Sequence, residues 1–288
     1  MAAQPRTIRQ SFADPLPAYP NPNQGIGANA SVSGDSTRNT DPCYFAIGAR
    51  QNWFNIGQNI IGDPALAVPA HPLNRECIHF REEATYHNSE GDVVRSAAQY
   101  LLHPVNQVLS NVNALMRCQS ELTTNRVRSD ITYFRGPVAP QAPALGNPGH
   151  AGNPNYRAIA VVEFKKRGVI KQAEFTAANR FPAAVPTPVQ VATTIAAAQN
   201  RPNESYFAGD ALTLIKQAGS YALAHRTPYV ALFDWDFLVL VHFTQLDLAN
   251  TFSGDYCEVQ VIPNAQSQTM RSALLGFLGH AYQNVPLV

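Results

Sequence analysis

Charge is scarce in this chain. Of its 288 residues, 14% are Asp, Glu, Lys or Arg, and the formal net charge is +1. That excludes the global basic field by which a histone-like binder is held on nucleic acid. It leaves room for an enzyme that grips a phosphate backbone through one local patch. Cysteine is sparse too: Cys43, Cys77, Cys118 and Cys257 stand far apart, and no CxxC pair exists. A zinc ribbon is therefore excluded, no disulfide framework is implied, and scattered thiols fit a reducing compartment. No stretch approaches the roughly 18 apolar residues of a membrane span. The N-terminal MAAQPRTIRQSFADPLPAYP lacks the apolar region of a signal peptide. The expectation is an intracellular protein of cytoplasm or nucleus, with no membrane partner. No P-loop, GxSxG or GxGxxG motif is present, and His225, His242 and the other histidines show no HxH or HExxH spacing. The histidines read as structural.

What is there begins with a Pro/Asn/Gly/Ser-rich segment, residues 1–40, with few apolar anchors; it reads as a flexible arm. Residues 41–288 read as the folded domain, opening with short elements between Cys43 and Leu73. A helix is expected from about Glu90 to Met116, with Ser89 as N-cap, Asp92 at N3 and a kink at Pro104. Two strand-like runs follow, Glu121–Asn125 and Val127–Phe134, and then a Gly/Pro-rich loop over 136–155. The strongest strand is YRAIAVVEFKK, Tyr156–Lys166, apolar and β-branched as a central strand should be. Helices are expected over 188–199 and over 209–225, the second with Asp210 as N-cap. Strands at Tyr229–Phe233 and Phe237–Phe243 and a helix at 268–282 complete the chain. This order implies an α/β fold with a central mixed sheet flanked by helices.

Within that frame, Glu163 and Lys165 sit two apart on a strand and share a face. All five residues before Glu163 are apolar, an unfavourable setting for charge unless it is paired or metal-bound. An isolated ExK is more often a solvated strand end. Asp130, however, lies inside the preceding strand run, where Asp is depleted. Two carboxylates on adjoining strands are a hard-oxygen site for Mg²⁺. Gln217 and Tyr221 are four apart on one helix face; alone, such a pair is usually surface and core.

Taken together and in order, Asp130, Glu163-Phe164-Lys165 and Gln217-Ala218-Gly219-Ser220-Tyr221 resemble the D…ExK…QxxxY signature of the PD-(D/E)XK superfamily. The QxxxY element is most similar to its RecB-type branch, and the likeness spans about residues 90–243. The resemblance implies a restriction-endonuclease-like core and a metal-dependent nuclease. Asp130 and Glu163 would hold Mg²⁺ (or Mn²⁺), with the Phe164 carbonyl as a further ligand. Lys165 would orient or deprotonate the attacking water, Gln217 would position substrate, and Tyr221 would support it. Glu90 resembles the acidic residue at the start of the first helix that completes such sites, with Asp92 and Glu83 competing for the role. Two departures stand out: Ser129 replaces the proline before the aspartate, and the branch's upstream histidine has only His87 and His103 as candidates. In overall flavour the chain resembles stand-alone members of fungal type.

Arg126, Arg128, Lys165, Lys166, Arg167 and Lys171 form the one dense basic cluster, able to neutralise phosphates, with DNA favoured over RNA as partner. A solvated strand end would look the same. Trp235 and Phe237 are candidates for stacking on bases. The alternative function is a catalytically silent nuclease-like fold kept as a protein- or nucleic-acid-binding module. The intact Asp, Glu and Lys count against that reading.

Overall fold

A computed structural model describes residues 6–17, 40–77, 87, 89–112, 116–124, 127–136, 156–265 and 268–285. Arg126, Glu83, nearly all of the 136–155 loop and most of the 1–40 segment lie outside the described residues.

The chain forms a mixed eight-stranded sheet. Its strands are β1 (Phe45–Gly48), β2 (Met116–Thr124), β3 (Val127–Arg135), β4 (Arg157–Phe164), β5 (Asn179–Phe181), β6 (Tyr229–Phe233), β7 (Phe237–His242) and β8 (Tyr256–Pro263). They lie in the order β2-β3-β4-β6-β7-β8-β1-β5. The pairs β2/β3, β3/β4, β6/β7 and β7/β8 are antiparallel, whereas β4/β6, β8/β1 and β1/β5 are parallel. The expected α/β class with a central mixed sheet is what the chain adopts.

Helices cover both faces: α1 (Ile8–Ser11), α2 (Trp53–Ile61), α3 (Glu90–Ala97), α4 (His103–Val112), α5 (Gln172–Ala178), α6 (Pro188–Gln199), α7 (Gly209–His225) and α8 (Met270–Asn284). Strand periodicity divides the core between those faces. Ala231, Phe233, Leu238 and Leu240 point to the side of α8, while Val230, Leu232, Val239 and Val241 point to the side of α7. On the first side α2 and α8 cross so closely that a Cβ on Gly57 would strike the Ser272 carbonyl, and one on Gly276 the Trp53 carbonyl.

Helix α3 begins as expected, with Ser89 and Asp92 closing a capping box. Pro104, which has no N–H to give the preceding turn, is absorbed by a π-helical stretch at Ala98–Leu102 rather than by a break. The start of α7 differs from expectation: its N-cap is Ala208, and Asp210 instead pairs with Lys171 at 2.8 Å. The cap comes from outside the helix, because Glu174 of α5 accepts the Ala211 N–H at 2.9 Å. Arg226 ends α7 in the left-handed conformation, φ 55°.

The segment read as a flexible arm is corrected over 6–17. Ile8, Phe12 and Leu16 are buried in the main core. Arg271 of α8 donates to the carbonyl of Ser11 at 2.8 Å, and Thr269 Oγ1 to that of Phe12 at 2.6 Å. Three apolar side chains and buried polar partners distant in sequence are enough to dock this stretch.

Trp235 is likewise corrected. It is 2% exposed, packs against His87, Tyr100 and Phe233, and donates its indole N–H to the Pro17 carbonyl. Buried this way, it offers no face to a base. Among the described residues no helix is long and apolar enough to cross a membrane.

Candidate active site

Because β3 and β4 pair with Ile131 opposite Val162, the next step of the register sets Asp130 opposite Glu163. Residues directly opposite in an antiparallel pair share a face, and here it is the face of Val161, toward α7. The two carboxylates close the end of the ladder reciprocally. Asp130 Oδ2 accepts the Phe164 N–H at 2.8 Å, and Glu163 Oε2 accepts the Asp130 N–H at 3.3 Å. Phe164 itself turns its ring into the opposite core.

Glu163 Oε1 is the hub. Lys165 Nζ donates to it at 2.7 Å, and Tyr221 Oη from α7 at 2.6 Å. Gln217 lies a turn earlier on α7, buried like Tyr221. Glu90, at the exposed start of α3, is within electrostatic reach of both Lys165 and Asp130. Thus the fold brings together Asp130, Glu163, Lys165 and Tyr221, with Gln217 and Glu90 at the margin.

The electrostatics are strained toward negative charge. Burial pushes the Glu163 carboxyl up to about 7; Lys165 opposes this, and Asp130 adds to it. Asp130 is raised, chiefly by burial, against the pull of the Phe164 N–H and Lys165. Glu90 is raised as well: although its side chain meets solvent, the protein around it weakens its hydration, and Lys165 only partly offsets this. Burial and the Glu163 charge raise the Tyr221 phenol, which therefore stays a donor.

Three carboxylates stand against one adjacent ammonium. That arithmetic leaves about two negative charges, which protons or a divalent cation can balance. Asp130 Oδ1 takes no hydrogen bond among the described residues, and carboxylate oxygens are the donors a hard cation prefers. The donor chemistry of Asp130 and Glu163 therefore fits Mg²⁺ or Mn²⁺. Glu90 does not join them as a ligand in this arrangement: among the described residues no three His, Cys, Asp or Glu side chains are grouped to hold an ion.

The basic cluster is largely spoken for. Arg167 is buried, with Nε on both oxygens of Asp236 at 3.0 and 2.9 Å, so it cannot present its guanidinium to a backbone phosphate. Arg128 pairs with Glu121 at 2.8 Å, and Lys171 with Asp210. Lys166, half-buried beside the site, makes no ion pair among the described residues. Of the two candidate histidines, His87 is buried against Trp235 and bonded to Ser96 at 2.9 Å. Burial and nearby Arg167 lower it to about 4, so it is neutral at physiological pH. His103 is half-buried at the start of α4.

Sequence reasoning missed a second polar grouping, around His242 and Glu258. It had no recognisable spacing to give it away, since its members come from β4, β7, β8, α8 and the turn after β1. No protein-family model matches the chain, and no curated protein matches it significantly.

Proposed function

We propose that the chain is a metal-dependent phosphodiesterase acting on nucleic acid, DNA before RNA, with Asp130 and Glu163 as the ion's ligands and Lys165 as the catalytic cation. The observation that carries this reading is the meeting of Asp130, Glu163 and Lys165 at the shared end of β3 and β4, with Lys165 Nζ 2.7 Å from Glu163. A bound divalent ion would supply Lewis acidity and a water of lowered pKa. The chain's own residues do the rest. Tyr221 fixes the Glu163 carboxylate through its hydroxyl. Lys165 would turn its ammonium toward the charge that builds on the phosphorus oxygens. Gln217 lines the α7 side. The neutralised basic cluster implies loose backbone grip, supported by Lys166 and Lys165.

A second reading has its own observation. With Glu163 already clamped by Lys165 and Tyr221, the site is self-satisfied, which suits a silent nuclease-like fold that binds a protein or nucleic acid.

The deciding experiment offers plasmid, linear duplex, single-stranded DNA and RNA to purified protein, with Mg²⁺, Mn²⁺ or EDTA. Ion-dependent cleavage is expected, and Lys165→Ala should lower it by about 10²–10³ while the fold is kept. Lys165→Arg should not restore it, because the guanidinium is bulkier and does not release its proton. Absence of cleavage on every substrate with either ion leaves the binding module standing.

A further inference from the structure

Arg157 begins β4 and Glu163 lies near its other end, six residues on, which at about 3.3 Å per residue is roughly 20 Å away. Around the Arg157 end opens a cavity of about 690 Å³, bounded among others by Arg50, Arg157, Arg226, His242, Glu258 and His280. Its size lies within the range of small-molecule sites, about 300–1,000 Å³.

The charges lining it do not balance. Among the described residues Glu258 is the sole carboxylate of the lining, and it is already engaged, by Arg50 Nε at 2.5 Å and by His242 Nδ1 at 3.3 Å. Arg157 and Arg226 form no ion pair among the described residues. Arg157 in fact stands opposite another cation, since its cross-strand partner is Arg135; like charges directly opposite are unfavourable. Arg135 turns to the carbonyl and ring of Tyr282 rather than to a carboxylate. Arg226 stands at the end of α7, its backbone left-handed.

The imidazole in the wall is also held in place. His242 stacks on Tyr229, with centroids 4.4 Å apart and planes 5° from parallel, and its Nδ1 is tied to Glu258. That leaves Nε2 as its remaining polar atom. Two unengaged guanidinium forks and one oriented imidazole are the groups that bind a doubly charged oxyanion in several places at once. We propose that this cavity binds a phosphorylated small molecule of about mononucleotide size, with Arg157 and Arg226 on the phosphate and His242, braced by Glu258, hydrogen-bonding to it. The site stands apart from the carboxylates of β3 and β4 and does not depend on the nuclease reading.

Calorimetric titration of the full chain in EDTA, with 5′-AMP, inorganic phosphate and citrate as probes, tests this. Saturable binding of 5′-AMP is expected, with phosphate weaker and citrate weaker still. Arg157→Gln and Arg226→Asn, the latter chosen because Asn tolerates the left-handed backbone, should each weaken binding by about tenfold or more. Asp130→Asn, on β3 beside the far end of β4, should leave it unchanged. Phenylglyoxal labelling of the wild type gives a readout that no variant's folding can spoil: 5′-AMP should protect Arg157 and Arg226. Three outcomes overturn the proposal: no saturable binding of any probe, citrate bound more tightly than 5′-AMP, or labelling of both arginines unaffected by 5′-AMP.

Discussion

The two ends of β4 carry opposite surpluses, and the surrounding structure treats them differently. At the Glu163 end the surplus is negative and the environment is closed. Glu163 and Lys165 are 5% and 7% exposed, and Tyr221 covers them from α7. Beyond them the β6–β7 turn is braced by Asp234, which accepts the Ile170, Asp236 and Phe237 N–H groups, and by the Arg167–Asp236 pair. At the Arg157 end the surplus is positive and the environment is open, a cavity with one engaged carboxylate. Closure magnifies electrostatics, because fewer waters screen the charges. It therefore ties the protonation of the carboxylates at that end to the charges around them. Openness leaves the arginine end hydrated, so its charges cost little until a ligand arrives.

Removing the N-terminal segment that packs against Trp235 at the closed end should produce the largest effect. Trp235, beside the β6–β7 turn, leans on Pro17, and Ile8, Phe12 and Leu16 sit in the same core. Burial of such side chains contributes about 1.5–3 kcal/mol each, an upper figure since the unfolded chain already hides some of this area. Deleting residues 1–17 should therefore cost roughly 5 kcal/mol, much of a typical domain's stability. Urea unfolding measures it. A midpoint shifted by less than about 0.5 M would mean that the segment merely rests on the fold.

Next in size is the response of the closed end to a divalent ion. Between the ordinary Glu value and about 7, folded Glu163 holds a proton that the unfolded chain has released. Its contribution to stability is thus present at low pH and is lost as pH rises through about 7. An ion needs the ionised form, so it should restore stability on the alkaline side. At 100 times its dissociation constant the gain is about 2.7 kcal/mol. Melting curves with and without Mg²⁺ should diverge at about pH 8 and nearly coincide at about pH 5.5. Equal shifts at both, or the same shift in Asp130→Asn, would place the ion elsewhere.

How much of this contrast was legible beforehand depends on whether its causes are local. The run AIAVVEF announces a buried strand, and the spacing of Glu163, Lys165, Gln217 and Tyr221 survives in the fold because strand and helix periods are local properties. Strand β8 was not legible: YCEVQVIP puts Glu258 on a buried face, where Arg50 and His242 make it tolerable. The docking of 6–17 was hidden for the same reason, since its partners on α8 lie more than 250 residues away in sequence. The basic cluster misled in the converse way. Its positive charges are neighbours in sequence, whereas the carboxylates that cancel Arg167 and Lys171 arrive from Asp236 and Asp210.

The smallest effect should come from a single hydroxyl. Tyr221→Phe removes the 2.6 Å hydrogen bond to Glu163 Oε1 and little else, because the ring stays packed against the α7 side of the sheet. A donor to the charged carboxylate holds its pKa down, and the Tyr221 hydroxyl does so for Glu163 against the push of burial. Without it Glu163 should ionise at still higher pH. A hydrogen bond to a charged group is worth about 1.5–3 kcal/mol, and about 1.4 kcal/mol corresponds to one pH unit. The pH at which Mg²⁺ begins to raise the melting temperature should therefore move up by about one unit. The melting temperature in EDTA at about pH 5, where Glu163 is protonated in both proteins, should change by only a few degrees. An onset that stays put would show that Tyr221 fills space beside Glu163 without tuning it. An onset that moves down would mean the hydroxyl favours the protonated carboxyl, and the closed end would then be built to keep a proton rather than to receive an ion.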